Sequence, residues 1–120
     1  MAEDINYGAI LESLNDKVDL GGSWSAPSSS YDDLILGASG NSYTAPADGY
    51  FAVDKVSGAT NTYFAFNNIQ TGMWITVPGP GSGNACRCFM PAKKGDTVAA
   101  YYNASGATNM FRFIYAQKTN

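Results

Sequence analysis

The chain has 120 residues, the size of a single domain, and its formal net charge is -3 at pH 7. Charged residues make up only 14% of it, below the roughly 25% of an average soluble domain. Nucleic acid is not an expected partner, because an acidic chain offers few Lys and Arg side chains for phosphates. The sequence has no histidine, which is the usual general base of a catalytic triad and the commonest transition-metal ligand. We therefore expect a protein that is not an enzyme.

Residues 4–18 carry the strongest helical pattern in the chain. Apolar residues recur there at the spacing of three and four that marks one face of a helix, and they are Tyr7, Ile10, Leu11, Leu14 and Val18. A helix of about four turns is marginal alone in water. The stripe must therefore pack, either on the same helix of other chains in a trimeric coiled-coil stalk or on its own head. We predict the helix and stalk over residues 1–20.

Residues 21–30 are small and turn-forming residues around Trp24, which is typical of a linker. From residue 31 to residue 120 the pattern changes to short β-rich runs separated by Gly, Pro, Asn or Asp, as in sandwiches and jelly rolls. We predict one head domain there with eight strands. They lie near Tyr31–Leu36, Ser42–Thr44, Tyr50–Val56, Thr62–Asn67, Met73–Val77, Ala85–Met90, Thr97–Asn103 and Met110–Ala116.

The last predicted strand is apolar on both faces. Phe111, Phe113 and Tyr115 alternate there with Arg112 and Ile114. A strand of an antiparallel sheet normally keeps one polar face for water. This strand is therefore expected to be buried on both sides, within the head or against another subunit. The predicted head contribution to an oligomer interface is Tyr101, Phe111, Phe113 and Tyr115.

Two motifs of the head resemble a known superfamily. Residues 45–51 (Ala-Pro-Ala-Asp-Gly-Tyr-Phe) look like the "A-P-x-x-G-Y-[FY]" entry into the third strand of complement and tumour necrosis factor jelly rolls. Residues 94–98 (Lys-Gly-Asp-Thr-Val) resemble their later "G-D-x-V" hairpin, and residues 111–113 (Phe-Arg-Phe) stand where their closing strand carries its aromatics. In local terms, Pro46 fixes the backbone before a turn, Gly49 can take a positive φ, and Asp48 can bond nearby amides. Gly95 and Asp96 suit a tight hairpin.

Residues 4–17 are similar to segments that precede the terminal domains of bacteriophage and prophage tail-fibre proteins. With the head motifs, this resemblance implies a homotrimer of jelly-roll heads above a helical stalk, with attachment to a bacterial surface receptor as its role. The implied location is the tail of the virion. Synthesis in the bacterial cytoplasm fits the acidic residues 1–4, where a signal peptide would be positively charged. No apolar run reaches the roughly 18 to 20 residues of a membrane span, so membrane insertion is not expected.

The chain offers little for metal or acid–base chemistry. Cys86 and Cys88 point to the same face of a strand, a poor geometry for a mutual disulfide, and are expected to be buried, reduced thiols. The alternative is a metal site in a trimer, to which each of the three chains contributes its two thiols. Asp32 and Asp33 are expected in a solvated turn. No cofactor is expected, although jelly-roll loops with carboxylates such as Asp48, Asp54 and Asp96 could hold calcium.

Aromatic and amide side chains on the head are the candidates for receptor contact, because planar rings stack on sugars and amides both donate and accept hydrogen bonds. The candidates are Tyr63, Asn67, Trp74, Asn84, Tyr102 and Asn103. The predicted fold is thus an all-β jelly-roll β-sandwich after a short helix, and the predicted function is non-catalytic attachment by a homotrimer to a glycan or protein receptor. The alternative is a monomeric carbohydrate-binding β-sandwich module of a larger bacterial protein. A depolymerase or peptidase is disfavoured, because neither a base nor a metal cluster can be assembled.

Overall fold

The protein is described here from a computed structural model, for residues 26–79, 81 and 83–117. The predicted stalk, with Tyr7, Ile10, Leu11, Leu14 and Val18, and the linker residue Trp24 lie outside the described residues. The described part of the chain is all β. It contains no helix that could span a membrane.

Eight strands form the described domain. They are β1 (Pro27–Asp33), β2 (Ser42–Thr44), β3 (Gly49–Val56), β4 (Tyr63–Asn68), β5 (Met73–Pro78), β6 (Ala85–Ala92), β7 (Thr97–Tyr102) and β8 (Thr108–Ala116). Sheet I has the order β1-β8-β3-β6 and sheet II the order β2-β7-β4-β5. Every strand pair is antiparallel. The two sheets pack face to face as a β-sandwich around one core.

The core is built from alternate residues of the central strands, as the period of two along a strand requires. Phe51 and Val53 of β3 and Phe113 of β8 contribute from sheet I, and Phe64 and Phe66 of β4 contribute from sheet II. Phe64, Phe66 and Phe113 are fully buried. Phe51 and Phe113 meet edge to face with ring centroids 5.0 Å apart, a geometry that adds to the hydrophobic gain of burial.

The eight predicted strands are confirmed, and the largest difference is in β1. It runs from Pro27 to Asp33 instead of from Tyr31 to Leu36, so it includes four residues that were expected in the linker. Its backbone pairs with β8, while its side chains are mostly exposed at the edge of sheet I. Little apolar patterning therefore marks it, and Pro at the start of an edge strand is tolerated. Leu34 and Leu36, which suggested the strand, follow it and pack on the core instead.

The two head motifs meet at one end of the sandwich. The Ala45 amide donates to the Asp96 carbonyl at 2.8 Å, and the Gly95 amide donates to the Ala45 carbonyl at 2.8 Å. The Asp48 side chain accepts a hydrogen bond from the Lys94 amide at 2.9 Å. This partner lies in the other motif, whereas the sequence had suggested a bond to a nearby amide. Residues 45–51 and residues 94–98 thus contact each other through these hydrogen bonds.

The glycines of these motifs have different roles. Gly95 has a φ of +88°, which agrees with the predicted tight turn. Gly49 is not among the residues with positive φ, so the turn does not use the conformational freedom of glycine at this position. A Cβ at Gly49 would overlap the backbone oxygen of Ile114 and lie 2.7 Å from Cζ of Phe113. Glycine is needed there because β8 and its side chains approach too closely for any larger residue.

Candidate functional site

Cys86 and Cys88 are free and lie on the core side of β6, as predicted. Cys86 is fully buried, and Cys88 is half-buried against the core cluster. Burial raises the pKa of Cys86, although the nearby charge of Lys55 partly opposes this. Burial, with the Cys86 thiol beside it, raises the pKa of Cys88 to about 12. Because the thiolate is the nucleophile and the metal ligand, both thiols are held in their inert form.

We therefore expect both cysteines to resist alkylation in the native protein. At pH 8 the raised pKa values leave less thiolate than in an unfolded chain, so the reaction with iodoacetamide should be at least about tenfold slower than in urea. Intact-mass spectrometry over time measures the modification, and the urea-unfolded protein, in which both thiols react, is the control. Rapid modification of the folded protein would show instead that a thiol is open to solvent.

The carboxylates considered for calcium do not form a cluster. Asp48 accepts from the Lys94 amide, and Asp54 pairs with Arg87 at 3.0 Å. Asp96 accepts hydrogen bonds from the Lys93 amide and the Asn68 side chain, which together lower its pKa. Within the described residues no group of three or more His, Cys, Asp or Glu residues could hold a metal ion. These side chains thus have structural partners of their own.

Asp32 and Asp33 lie in strand β1, not in a turn. The Tyr115 hydroxyl donates to Asp32 at 2.5 Å, and this bond raises the pKa of Tyr115. Asp33 pairs with Arg112 at 3.3 Å. Both aspartates are exposed, as expected, but each joins edge strand β1 to β8. In this arrangement the two aspartates hold edge strand β1 against β8 of sheet I.

The structure corrects the predicted contribution of the head to an oligomer interface. Phe111 is 3% exposed and Phe113 is fully buried, both in the core of their own sandwich, so neither offers a surface to another chain. Tyr115 is half-buried and meets Phe113 edge to face with centroids 5.2 Å apart. Tyr101 lies on the outer face of sheet II, whereas the β8 aromatics belong to sheet I and face the core. These four residues therefore do not form one surface.

Three of the six receptor candidates share the outer face of sheet II. Tyr63 and Asn67 lie on β4, and Trp74 lies on β5 directly opposite Asn67. The other three lie elsewhere. Tyr102 points into the core, stacks on Phe64 with centroids 5.6 Å apart, and donates to the Gly37 carbonyl. The remaining two are Asn103, whose side chain accepts from the Tyr63 amide at 2.7 Å, and Asn84, which lies in the loop before β6.

An aromatic pair dominates the outer face of sheet II. Trp74 is 55% exposed and stacks on Tyr101, with ring centroids 5.3 Å apart and an interplanar angle of 29°. The two residues lie on β5 and β7, on either side of β4, so the pair bridges the central strand. Ala65 and Ala99 are small, buried residues on the same face. The sequence alone does not join Tyr101 to Trp74, because the pairing of these two residues depends on the strand order.

The outer face of sheet II carries no charged side chain along its described strands. The register and the period of two place these residues on it: Ser42, Thr44, Tyr63, Ala65, Asn67, Trp74, Thr76, Pro78, Thr97, Ala99 and Tyr101. The amide oxygen of Asn67 is buried without a hydrogen-bond partner. A buried acceptor without a partner is rare in folded proteins and calls for an explanation. The face is thus neutral, aromatic and rich in hydroxyl groups.

The outer face of sheet I has a different chemistry. It contains an apolar hollow of about 350 Å³ whose lining includes Pro27, Tyr50, Ala52, Phe89, Met110 and Ile114. Phe89 is 55% exposed and meets Tyr50 edge to face with centroids 5.8 Å apart. The hollow exists because the small Ala52 of β3 lies between Phe89 of β6 and Arg112 of β8. The paired Arg87 and Asp54 also line the hollow, and a second charged pair, Arg112–Asp33, lies on the same face of the sheet.

Comparison with known proteins adds no relative to this description. No protein-family model matches the chain, and neither a curated protein nor a solved structure matches it. The class that the structure itself defines is an antiparallel β-sandwich with two chemically distinct outer faces.

Proposed function

We propose that this protein is the non-catalytic, homotrimeric head of a bacteriophage or prophage tail fibre, which attaches the virion to the bacterial host surface. Three jelly-roll heads surround one axis, with the residue 1–20 helices as a stalk beneath them. The outer face of sheet I joins the heads, and the outer face of sheet II meets the receptor. The protein is located in the virion tail.

The chain path supports the jelly-roll assignment. The eight strands are divided equally between two sheets, and β4 and β5 are the only consecutive strands that pair with each other in the described domain. Every other connection crosses from one sheet to the other. This is how a chain of two Greek keys wraps around a core in a jelly roll.

The difference between the two outer faces carries the functional proposal. Sheet I presents an apolar hollow beside a half-exposed Phe89, with charges of both signs at its margin. Exposed apolar patches rimmed by polar residues are typical of association sites. Around a three-fold axis each copy of the chain brings both charges and an aromatic side chain, so the surface is suited to self-association. Sheet II presents an aromatic, uncharged face suited to a ligand.

A monomeric carbohydrate-binding module is the second candidate. The observation that favours it is that the Trp74–Tyr101 pair lies within one chain and needs no neighbouring subunit. Self-association distinguishes the two candidates, because only the tail-fibre head requires it.

Introducing a charge at Phe89 should break the trimer. The Phe89→Asp variant removes the exposed aromatic ring and replaces it with a carboxylate, which must be desolvated on assembly. Light scattering after size exclusion should give about three times the chain mass of 12.7 kDa for the wild type and the monomer mass for this variant. Thr76→Asp adds the same charge on exposed β5 of sheet II and should remain trimeric. A wild type that is monomeric at high concentration would leave only the monomeric module.

Attachment itself is tested on bacteria. Fluorescently labelled protein is incubated with a panel of bacterial strains, and bound protein is counted by flow cytometry. The proposal expects strain-selective binding that blocks phage adsorption on a susceptible strain. Release of polysaccharide fragments or peptides from the cells would indicate catalysis and contradict the non-catalytic proposal.

A further inference from the structure

We propose that the outer face of sheet II binds a neutral glycan, with one hexose ring stacked on Trp74 beside Tyr101. This inference deepens the proposed attachment function, because it names the chemical class of the receptor and the face that binds it. It follows from three properties of that face: an open aromatic surface, unused hydrogen-bonding groups and the absence of charge.

The open aromatic surface is the first property. Trp74 leaves 55% of its surface to solvent although it stacks on Tyr101. Exposing a tryptophan forfeits the free energy that its burial would give. The face of an indole ring is electron-rich, so it attracts the weakly positive C–H groups on one side of a pyranose. Tyr101 fixes the tilt of the indole and extends the platform across β4.

Unused hydrogen-bonding groups are the second property. Within the described part of the chain, the side-chain hydroxyl and amide groups of this face make no hydrogen bond to protein, although side chains elsewhere in the head do. These groups belong to Ser42, Thr44, Tyr63, Asn67, Thr76, Thr97 and Tyr101. They can donate and accept toward sugar hydroxyls without breaking an internal bond.

Asn67 is the sharpest case among these groups. It lies on central strand β4, directly opposite Trp74 on one side and Ala99 on the other. Its amide oxygen is buried and has no hydrogen-bond donor. Leaving a buried acceptor unpaired is unfavourable, and a ligand hydroxyl that pairs with it removes that penalty. Because the amide makes no bond to the protein, the side chain can turn toward a ligand at little cost.

The absence of charge selects the ligand. Sialic acid, phosphate and acidic peptides need cationic partners, and the outward positions of the described sheet II strands hold none. A neutral hexose or N-acetylhexosamine needs stacking and hydroxyl contacts, and these are what the face offers. The platform is also rigid, since β4 pairs with a strand on each side. A pre-organised site loses little entropy when it binds.

The test uses polyacrylamide conjugates of glucose, galactose, mannose and N-acetylglucosamine, with a sialic acid conjugate as the charged comparison. Binding of each to the immobilised full chain is measured by biolayer interferometry. We expect at least one neutral conjugate to bind. Trp74→Ala should weaken that binding by about tenfold or more, as for a central aromatic anchor. Trp74→Phe should restore part of it, and Asn67→Ala should weaken it less than Trp74→Ala.

Ile35→Ala is the matched control, because Ile35 is 90% exposed in the loop after β1 and lies on neither face. It should bind like the wild type, and all variants should keep the wild-type thermal unfolding midpoint. The inference is overturned if no neutral conjugate binds, if only the sialic acid conjugate binds, or if Trp74→Ala binds as well as the wild type.

The proposed attachment function can fail separately. If the protein attaches to bacteria through a protease-sensitive receptor and Trp74→Ala attaches equally well, the glycan inference fails and the attachment function stands. If the neutral conjugates bind through Trp74 but no strain is bound, the glycan site stands and the tail-fibre function fails.

Discussion

Replacing Phe113 with alanine is expected to lower the free energy of unfolding by about 3 to 5 kcal/mol, the range for a large aromatic removed from a core. Phe113 is fully buried in β8, and its ring meets Phe51 and Tyr115 edge to face. Truncation removes the buried ring, leaves a cavity between the sheets and breaks both aromatic contacts. Small domains have about 5 to 15 kcal/mol of stability in total, so this variant should lose a large part of the stability of the domain.

Urea denaturation followed by fluorescence or circular dichroism measures this effect. We expect a lower midpoint for Phe113→Ala with an unchanged slope. Ile35→Ala, which removes an exposed side chain, should change the stability by no more than about 0.5 kcal/mol. If Phe113→Ala kept the wild-type midpoint yet abolished the trimer, Phe113 would belong to the subunit interface that the sequence had suggested.

The strands could be predicted from the sequence because the signals for them are local. Each run of aromatic and β-branched residues ends at turn-forming residues, and β2 was predicted to the residue at Ser42–Thr44. Strand β1 shows the limit of this signal. Strand β1 is held in the sheet by the backbone pairing of Pro27–Asp33 with β8. Because an edge strand buries few side chains, its sequence shows little hydrophobic pattern.

The β8 aromatics show a second limit. Their period of two established that Phe111, Phe113 and Tyr115 share a face. It could not decide whether that face or the one with Met110 and Ile114 points inward, because both are apolar. Only the position of β8 in the middle of sheet I, with sheet II packed on one side, resolves the choice. The aromatic face fills the core, and the other face contributes to the outer hollow.

The candidate binding face was predictable only residue by residue. Tyr63, Asn67 and Trp74 could be selected as types of side chain that bind ligands. Their assembly with Tyr101 requires the order β7-β4-β5, in which strands that are distant along the chain become neighbours. Tyr102, the residue after Tyr101, is also a tyrosine, but its side chain points to the opposite face of the sheet and packs in the core. One step along a strand therefore separates a candidate site residue from a structural one.

Gly49→Ala should lower the free energy of unfolding by about 3 kcal/mol, the upper end for overpacked cores. The added methyl group overlaps the Ile114 carbonyl oxygen and the ring of Phe113. The oxygen belongs to the β-ladder between β3 and β8, so it cannot move without breaking the pairing of the two central strands of sheet I. The motif at residues 45–51 thus contains a glycine for steric reasons.

Asparagine distinguishes steric crowding from a need for positive φ, because it tolerates the left-handed region better than alanine does. At Gly49 we expect Gly49→Asn to be at least as destabilising as Gly49→Ala, since its side chain is larger. At Gly95, where φ is +88° and a Cβ would meet no atom within 4 Å, the order should reverse, with Gly95→Asn more stable than Gly95→Ala. Urea midpoints of the four variants measure both orders. If asparagine were the better residue at position 49 as well, the close approach of β8 would not be the reason for its glycine.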